Sequence, residues 1–210
     1  VISSPQITEL VVATKNKKKL QEIRELLSDL PFCVTSLEDY PDAPRIVEDG
    51  RTFEQNAIKK AATIALYTRK LVLGEDSGLE VKALHNRPGV YSARYAGEGA
   101  TDKKNNRRLL SELKGVSLKR RGARYRCAVA LADGQGLIGV VSGSCSGKIA
   151  LNPKGTFGFG YDPLFLIEKF GKTFAQLGPD VKHAMSHRFR ALKKARGLME
   201  RYLKKGRPVS

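Results

Sequence analysis

Hydrophobic positions along the chain fall into short runs and two recurring periods. The run at residues 9–13 (ELVVA) predicts a short buried strand. After a polar turn, Leu20, Ile23, Leu26, Leu27 and Leu30 recur at helical spacing, so a helix is predicted to begin near Lys18. Cys33-Val34-Thr35 predicts a second strand, followed by a Pro-rich loop as far as Val47. Thr52-Phe53-Glu54-Gln55 has the capping-box pattern and opens a helix to about Tyr67, with Phe53, Ala57, Ala61, Ile64 and Ala65 facing inward. Residues 71–74 predict a strand that ends in Glu75 and Asp76. Leu79, Val81 and Ala83, alternating with Glu80 and Lys82, predict another strand after it.

Further on, Arg87-Pro88-Gly89 reads as a turn and residues 91–99 as a loop. Thr101 or Asp102 caps a helix with Leu109, Leu110 and Leu113 inside and Lys103, Lys104, Arg107 and Arg108 on a solvated face. Tyr125, Cys127, Val129 and Leu131 alternate with Arg124 and Arg126 as a strand. Asp133-Gly134-Gln135-Gly136 turns the chain into a returning strand over 137–149. Leu164-Phe165-Leu166 predicts a final strand. A helix from about Ser186 buries Phe189, Leu192, Ala195, Met199 and Tyr202.

Composition narrows the class. With 210 residues, 41% of them hydrophobic, the chain is long enough for one sizeable core or two lobes. No apolar run approaches the ~20 residues of a membrane span, and Val1-Ile2-Ser3-Ser4-Pro5 lacks the pattern of a secretory signal. Cys33, Cys127 and Cys145 are odd in number and widely spaced, which argues against a disulfide framework or a zinc site and predicts a reducing, cytoplasmic setting. His85, His183 and His187 form no metal-binding pair by spacing. A formal charge of +17 predicts an anionic partner, either nucleic acid or a polyphosphate small molecule, although much of the charge suits a solvated face. Lys204-Lys205-Gly206-Arg207 reads as a frayed basic tail.

Four stretches carry candidate chemistry. The turn Thr14-Lys15-Asn16-Lys17-Lys18-Lys19 puts four lysines at a helix N-terminus. The dipole disfavours cations there, so an anion among them would explain the charge. The glycines of a Walker loop are absent. Glu75 and Asp76, with Glu48 in an earlier acidic turn, can hold a hard cation or activate a water. Alone, Asp-Ser-Gly is ordinary turn chemistry. Asn56 and Lys60 are i, i+4 neighbours that can face a site, and singly each fits a surface position. Lys154-Gly155-Thr156-Phe157-Gly158-Phe159-Gly160-Tyr161-Asp162-Pro163 combines a flexible backbone with flat faces suited to stacking on a ring, and equally fits a turn packed on the core. Lys182, with Ser186-His187-Arg188 at a helix start, supplies further donors. Together these are the parts of a nucleoside triphosphate site.

Thr14-x-Asn16-x-x-Lys19, Asp76-Ser77-Gly78-Leu79, Pro88-Gly89-Val90-Tyr91-Ser92-Ala93-Arg94-Tyr95, Phe159-Gly160-Tyr161-Asp162-Pro163 and Ser186-His187-Arg188 occur in this order. In that order they resemble the inosine/xanthosine triphosphate pyrophosphatase family, over about residues 10–203. The resemblance implies an α/β fold, a mixed central sheet flanked by helices, with two lobes, an active-site cleft between them, and residues 1–210 forming one domain. It implies a Mg2+-dependent cytoplasmic homodimer that cleaves non-standard purine nucleoside triphosphates to the monophosphate and pyrophosphate. Carried over by position, Thr14 to Lys19 grip the triphosphate. Asp76 is general base and metal contact, Glu48 is a metal ligand, and Glu75 stands beside them. Lys60 and Ser77 touch the nucleotide, Phe159 to Asp162 form the base platform, and Lys182, His187 and Arg188 complete the purine pocket. Two positions depart from the family pattern: Lys15 stands where Gly is usual, and Glu75-Asp76 where Asp-Asp is common. Two other readings are a related pyrophosphatase for modified pyrimidine nucleotides and a basic nucleic-acid-binding protein. Dispersed basic residues and the lack of a recognised nucleic-acid motif weigh against the latter.

Overall fold

Runs of Leu and Val form the first strands because both faces of a parallel sheet are covered. In the computed structural model, which describes residues 8–204, β1 (Thr8–Val12) pairs in parallel with β2 (Phe32–Ser36), Thr8 opposite Phe32 through Val12 opposite Ser36. The start of the chain and the expected basic tail beyond Lys204 lie outside the described residues. β1 also pairs in parallel with β3 (Leu71–Val81), Leu10 opposite Leu71. Between them lie α1 (Lys17–Leu26) and α2 (Phe53–Thr68).

The remaining elements are β4 (Arg87–Pro88), α3 (Asp102–Glu112), β5 (Gly122–Asp133), β6 (Gly136–Ile149), β7 (Phe165–Ile167), β8 (Lys172–Thr173), α4 (Phe174–Met185) and α5 (His187–Lys204). The strand order is β2-β1-β3-β5-β6-β7-β8, with β4 antiparallel to the end of β3. Parallel pairs at one end and antiparallel pairs at the other make the sheet mixed, as expected. Among the described residues, no helix is long and apolar enough to cross a membrane.

Several expectations are corrected. Glu75-Asp76-Ser77-Gly78 is not a turn: β3 runs unbroken for 11 residues through it, so the two predicted strands are one. Turn-forming side chains lose their preference there because Glu75 and Asp76 are buried and paired, leaving the backbone free to stay in the ladder. Ala83 falls in a 3₁₀ turn, Lys82–Leu84. α1 stops at Leu26, so Leu30 lies beyond it. Gln55 accepts from the Arg51 N–H rather than closing the expected box, although Thr52 does cap Gln55 N–H. Arg108 is not merely solvated: it pairs with Glu112 and lies over the Tyr95 ring. β7 is followed by one more strand, β8, and by α4, a helix the sequence pattern did not suggest. Gly178-Pro179 interrupts its periodicity, and two helical pieces meet at Gly178 with φ of 81°.

The chain divides into two units. The first comprises residues 8–76, 128–142 and 191–204, the second Ser77–Cys127 and Gly143–Arg190. In the first, α2 lies on β3 through small residues. A Cβ built on Gly74 would stand 2.2 Å from the Ala57 carbonyl oxygen and 2.6 Å from Ala61 N. In the second, Leu79, Tyr95, Leu109, Leu113, Tyr125, Phe165 and Phe174 belong to one apolar cluster.

Arg121, at 5% exposure, pins the edge of that cluster. Its guanidinium donates to the carbonyls of Leu113 (2.9 Å), Val116 (2.9 Å) and Ala150 (3.2 Å). Burial holds its pKa below the usual arginine value. Arg121→Leu leaves those carbonyls without their donors and is expected to cost about 3 kcal/mol of stability. Arg121→Lys is expected to recover only part of it, because a compact ammonium cannot reach three carbonyls spread around the nitrogens of a planar guanidinium. Urea denaturation of the two variants checks both values.

Candidate active site

The close approach of α2 to β3 at Gly74 places the next polar side chains of α2 against the acidic pair. Asn56 Nδ2 donates to Asp76 Oδ2 at 3.0 Å. Lys60 Nζ donates to Asp76 Oδ1 at 3.2 Å and to the Glu75 carbonyl at 3.1 Å. Asn56 Oδ1 accepts from Gly50 N–H at 2.8 Å, which fixes its amide and draws in the loop carrying Glu48. Glu48 Oε2 lies 2.8 Å from Lys60 Nζ. Asn56 and Lys60 are thus buried site-facing residues rather than surface ones.

Asp76 is 5% exposed. Burial pushes its carboxyl above the usual range, and the charge of Glu48 acts in the same direction. Lys60, Lys19 and the Asn56 hydrogen bond pull it back without reversing the shift. Burial lowers Lys60 in turn, but Asp76, Glu48 and Glu75 outweigh it and leave its pKa raised. A carboxylate raised above its usual range and still held beside a permanent ammonium suits a general base.

The lysine-rich turn separates into three roles. Thr14 Oγ1 accepts from Asn16 N–H, and Asn16 caps α1 by accepting from Lys19 N–H, each at 3.1 Å, so these two side chains shape the turn. Lys15, Lys17 and Lys18 are exposed at the helix start. Lys17 lies 3.4 Å from Glu38 in a solvent-exposed pair of little energetic weight. Lys19 instead turns inward, 3.2 Å from Glu75 Oε2. Glu75, the departure from the family pattern, therefore holds the last lysine of the turn. Glu48, Glu75 and Asp76 all lie in the first unit with these lysines.

In the second unit, Asp162 organises the Gly/aromatic loop. Its Oδ2 accepts from Phe159 N–H at 3.0 Å and from Lys182 Nζ at 2.8 Å. Both side chains of the Lys182–Asp162 pair are 2% exposed. Gly158 has φ of 83°, and a Cβ there would stand 2.2 Å from Asp162 Oδ2, so only glycine lets the loop close over this carboxylate. Lys182 Nζ and the Arg188 guanidinium lie 4.5 and 5.6 Å from the centroid of the Phe159 ring. Arg188 also donates to Ser77 Oγ at 3.3 Å. His187 is buried beside them. Tyr161 is not a free flat face: it is 3% exposed, and its hydroxyl donates to the Ser92 carbonyl. Lys182 lies on α4.

Sequence reasoning missed the residues that hold this loop. Asp102 Oδ2 accepts from Gly160 N–H at 2.7 Å, and Asn106 Nδ2 donates to Gly160 O at 2.9 Å. The sequence pattern marks Asp102 only as a cap candidate. Asn105 and Asn106, two amides in a basic helix, were the available signal. Ser92, within the Pro88–Tyr95 motif, accepts from Leu79 N–H and donates to Gly89 O, so this motif braces the second unit.

The donor set suits a hard divalent cation. Glu48 and Asp76 already converge on one cationic group, the Lys60 ammonium, and Glu75 offers only oxygen. Among the described residues, no three His, Cys, Asp or Glu side chains are gathered closely enough to form a metal cluster by themselves.

The model of the Ham1 family matches residues 10–198. The chain belongs to the Ham1 family. It is similar to a dITP/XTP pyrophosphatase of Geobacter sulfurreducens, 53% identical over 89% of this chain and 94% of that protein. A Bacillus subtilis protein of the same name is 45% identical over 91% of this chain and 97% of its own. A HAM1 protein of Coxiella burnetii superposes with a TM-score of 0.84 at 38% identity, covering 92% of this chain and 99% of that one. In this Ham1 chain the matched segment includes the buried Lys60 and Asp76 of the first unit and the buried Asp162, Lys182 and Arg188 of the second.

Proposed function

We propose that this protein hydrolyses non-standard purine nucleoside triphosphates, dITP and XTP among them, to the nucleoside monophosphate and pyrophosphate. The observation that carries this reading is the similarity, over 89% of the chain, to a protein named dITP/XTP pyrophosphatase. The side-chain chemistry supports it. Thr14 to Lys19 take the phosphates, with the first-turn amides of α1 as further donors. Asp76 accepts a proton from the attacking water, and the bond broken lies between the α- and β-phosphates. Lys60 holds Asp76 in place and then meets phosphate oxygens. Glu48, Asp76 and Glu75 would hold Mg2+, which supplies charge neutralisation for the phosphate oxygens.

Phe159 stacks on the base, the backbone around Gly160 to Asp162 lines it, and Lys182, His187 and Arg188 address its edge. A 6-oxo purine accepts from these donors, whereas the amino group of adenine does not, and a buried donor left unmet costs ~1–3 kcal/mol. The same reading makes the whole chain one functional domain and the protein a cytoplasmic homodimer, a state that sedimentation velocity checks.

The test is incubation with dITP, XTP, dATP and dGTP in Mg2+, with products resolved by ion-exchange chromatography. Pyrophosphate and the monophosphate are expected from dITP and XTP, and little from dATP. Orthophosphate would overturn the cleavage site. Chelation with EDTA is expected to stop turnover, and excess Mg2+ to restore it; activity that persists in EDTA would remove the metal from the reading.

A further inference from the structure

Tyr125 lies on β5 among the alternating inward residues, where periodicity alone makes it a core aromatic. It is 6% exposed and packs at 4.5 Å from the Phe165 ring and 6.3 Å from the Phe174 ring. Two further contacts are not those of a simple core residue. Its ring stacks on His187, with centroids 4.6 Å apart and planes within 11°. Its hydroxyl donates to Asp162 Oδ1 at 3.3 Å. The other oxygen of Asp162 holds Lys182 and the backbone of Phe159. One side chain thus stands behind two separate arms of the candidate base pocket.

We propose that Tyr125 is a positioning residue for purine selectivity: its ring sets the plane of His187 and its hydroxyl steadies the Asp162 carboxylate, without touching substrate. The inference rests on the base-pocket reading given above. The ring is the stronger of the two contacts. A parallel offset at 4.6 Å is a close aromatic pair, whereas 3.3 Å is long for a hydroxyl-to-oxygen hydrogen bond. The hydroxyl stays a donor across the working range, because burial first and the Asp162 charge second hold its pKa well above the usual tyrosine value. Packing on Phe165 and Phe174 holds the plate in place, so His187 cannot turn about its Cβ–Cγ bond out of the stacked plane at no cost.

The experiment compares Tyr125→Phe and Tyr125→Leu with the unmodified protein. Its readouts are the ratio of kcat/KM for dITP to that for dATP, and the imidazole proton resonances of His187. Tyr125→Phe keeps the plate, so the ratio is expected to fall no more than about twofold for the loss of one long hydrogen bond. The His187 resonances stay in place. Tyr125→Leu removes the plate, and the ratio is expected to fall on the order of tenfold, the size of one misplaced polar contact. That loss appears in KM for dITP more than in kcat, and the ring-current shift of His187 disappears. Tyr125→Met, which retains more volume, serves if the leucine variant does not fold.

A merely structural role would lower the rates on both nucleotides by one factor and leave the ratio unchanged, and that result overturns the proposal. Phe159→Ala separates the underlying reading. If that variant leaves KM for dITP unchanged, the base pocket itself is misassigned, and the role of Tyr125 falls with it.

Discussion

Asp76→Asn is expected to lower the rate of nucleotide hydrolysis by about 10²- to 10⁴-fold, the usual contribution of a positioned base. The fold is expected to survive. In the unmodified protein, Asp76 Oδ1 accepts from Lys60 and Oδ2 from Asn56. An asparagine keeps an acceptor toward Lys60 but turns an amide toward the Asn56 amide. Asn56 cannot flip to meet it, because its own Oδ1 is taken by Gly50 N–H. One hydrogen bond is therefore lost, at about 1 kcal/mol. Relief from burying a charge, the main reason the Asp76 pKa is raised, offsets part of this, while the lost attraction to Lys60 and Lys19 adds to it. Steady-state rates together with urea denaturation separate the two effects. A variant that keeps near-full rate would take the base role away from Asp76.

Gly74→Ala is expected to be the most damaging single methyl group in the first unit. The added carbon would stand 2.2 Å from a backbone oxygen of α2 and 2.6 Å from a backbone nitrogen, and neither can swing aside as a side chain can. α2 must lift from β3, at a cost on the order of 3 kcal/mol. The same movement withdraws Asn56 and Lys60 from Asp76, so activity is expected to fall beyond what the loss of folded protein explains. Gly139→Ala is the control. Its new carbon would meet the ends of Leu198 at 3.2 Å, and a leucine tip can give. That variant is expected to lose less than about 1 kcal/mol. Equal melting temperatures for the two would show that the contact at Gly74 is more yielding than its distances indicate.

The parts of the fold legible in the sequence were those with one clean period. The apolar residues expected on the buried face of α2 are all buried there, the first strand is found one residue earlier, and the long hairpin of β5 and β6 turns where expected, although β5 is buried on both faces from Cys127 to Ala132. The pattern splits β3 in two because Glu75-Asp76-Ser77-Gly78 has turn composition. What keeps it extended is Lys19, Lys60 and Asn56, all distant in sequence. α4 escaped because a Gly-Pro pair hides two helical pieces behind one apparent break. At the site, the charged residues were legible as types in order, while their division was not. Nothing in the run of lysines marks Lys19 as the one that turns inward, or Asn16 as the cap that directs it. Tyr161 was grouped with Phe159 because both are flat; one is half-buried in the loop and the other is core.

The borders between the two units fall at 76/77, 127/128, 142/143 and 190/191. All four lie inside regular elements, β3, β5, β6 and α5 in turn. There is consequently no linker to cut, lengthen or replace. Neither unit is a continuous stretch of chain, so no single cut separates them. Asp76 and Ser77 sit on opposite sides of the first of these borders while sharing a peptide bond. An insertion or deletion there would shift the register of a strand as well as the spacing of two site residues. Chain length at this point is therefore held by backbone pairing and by chemistry together, and recombination among relatives has to keep the segment whole.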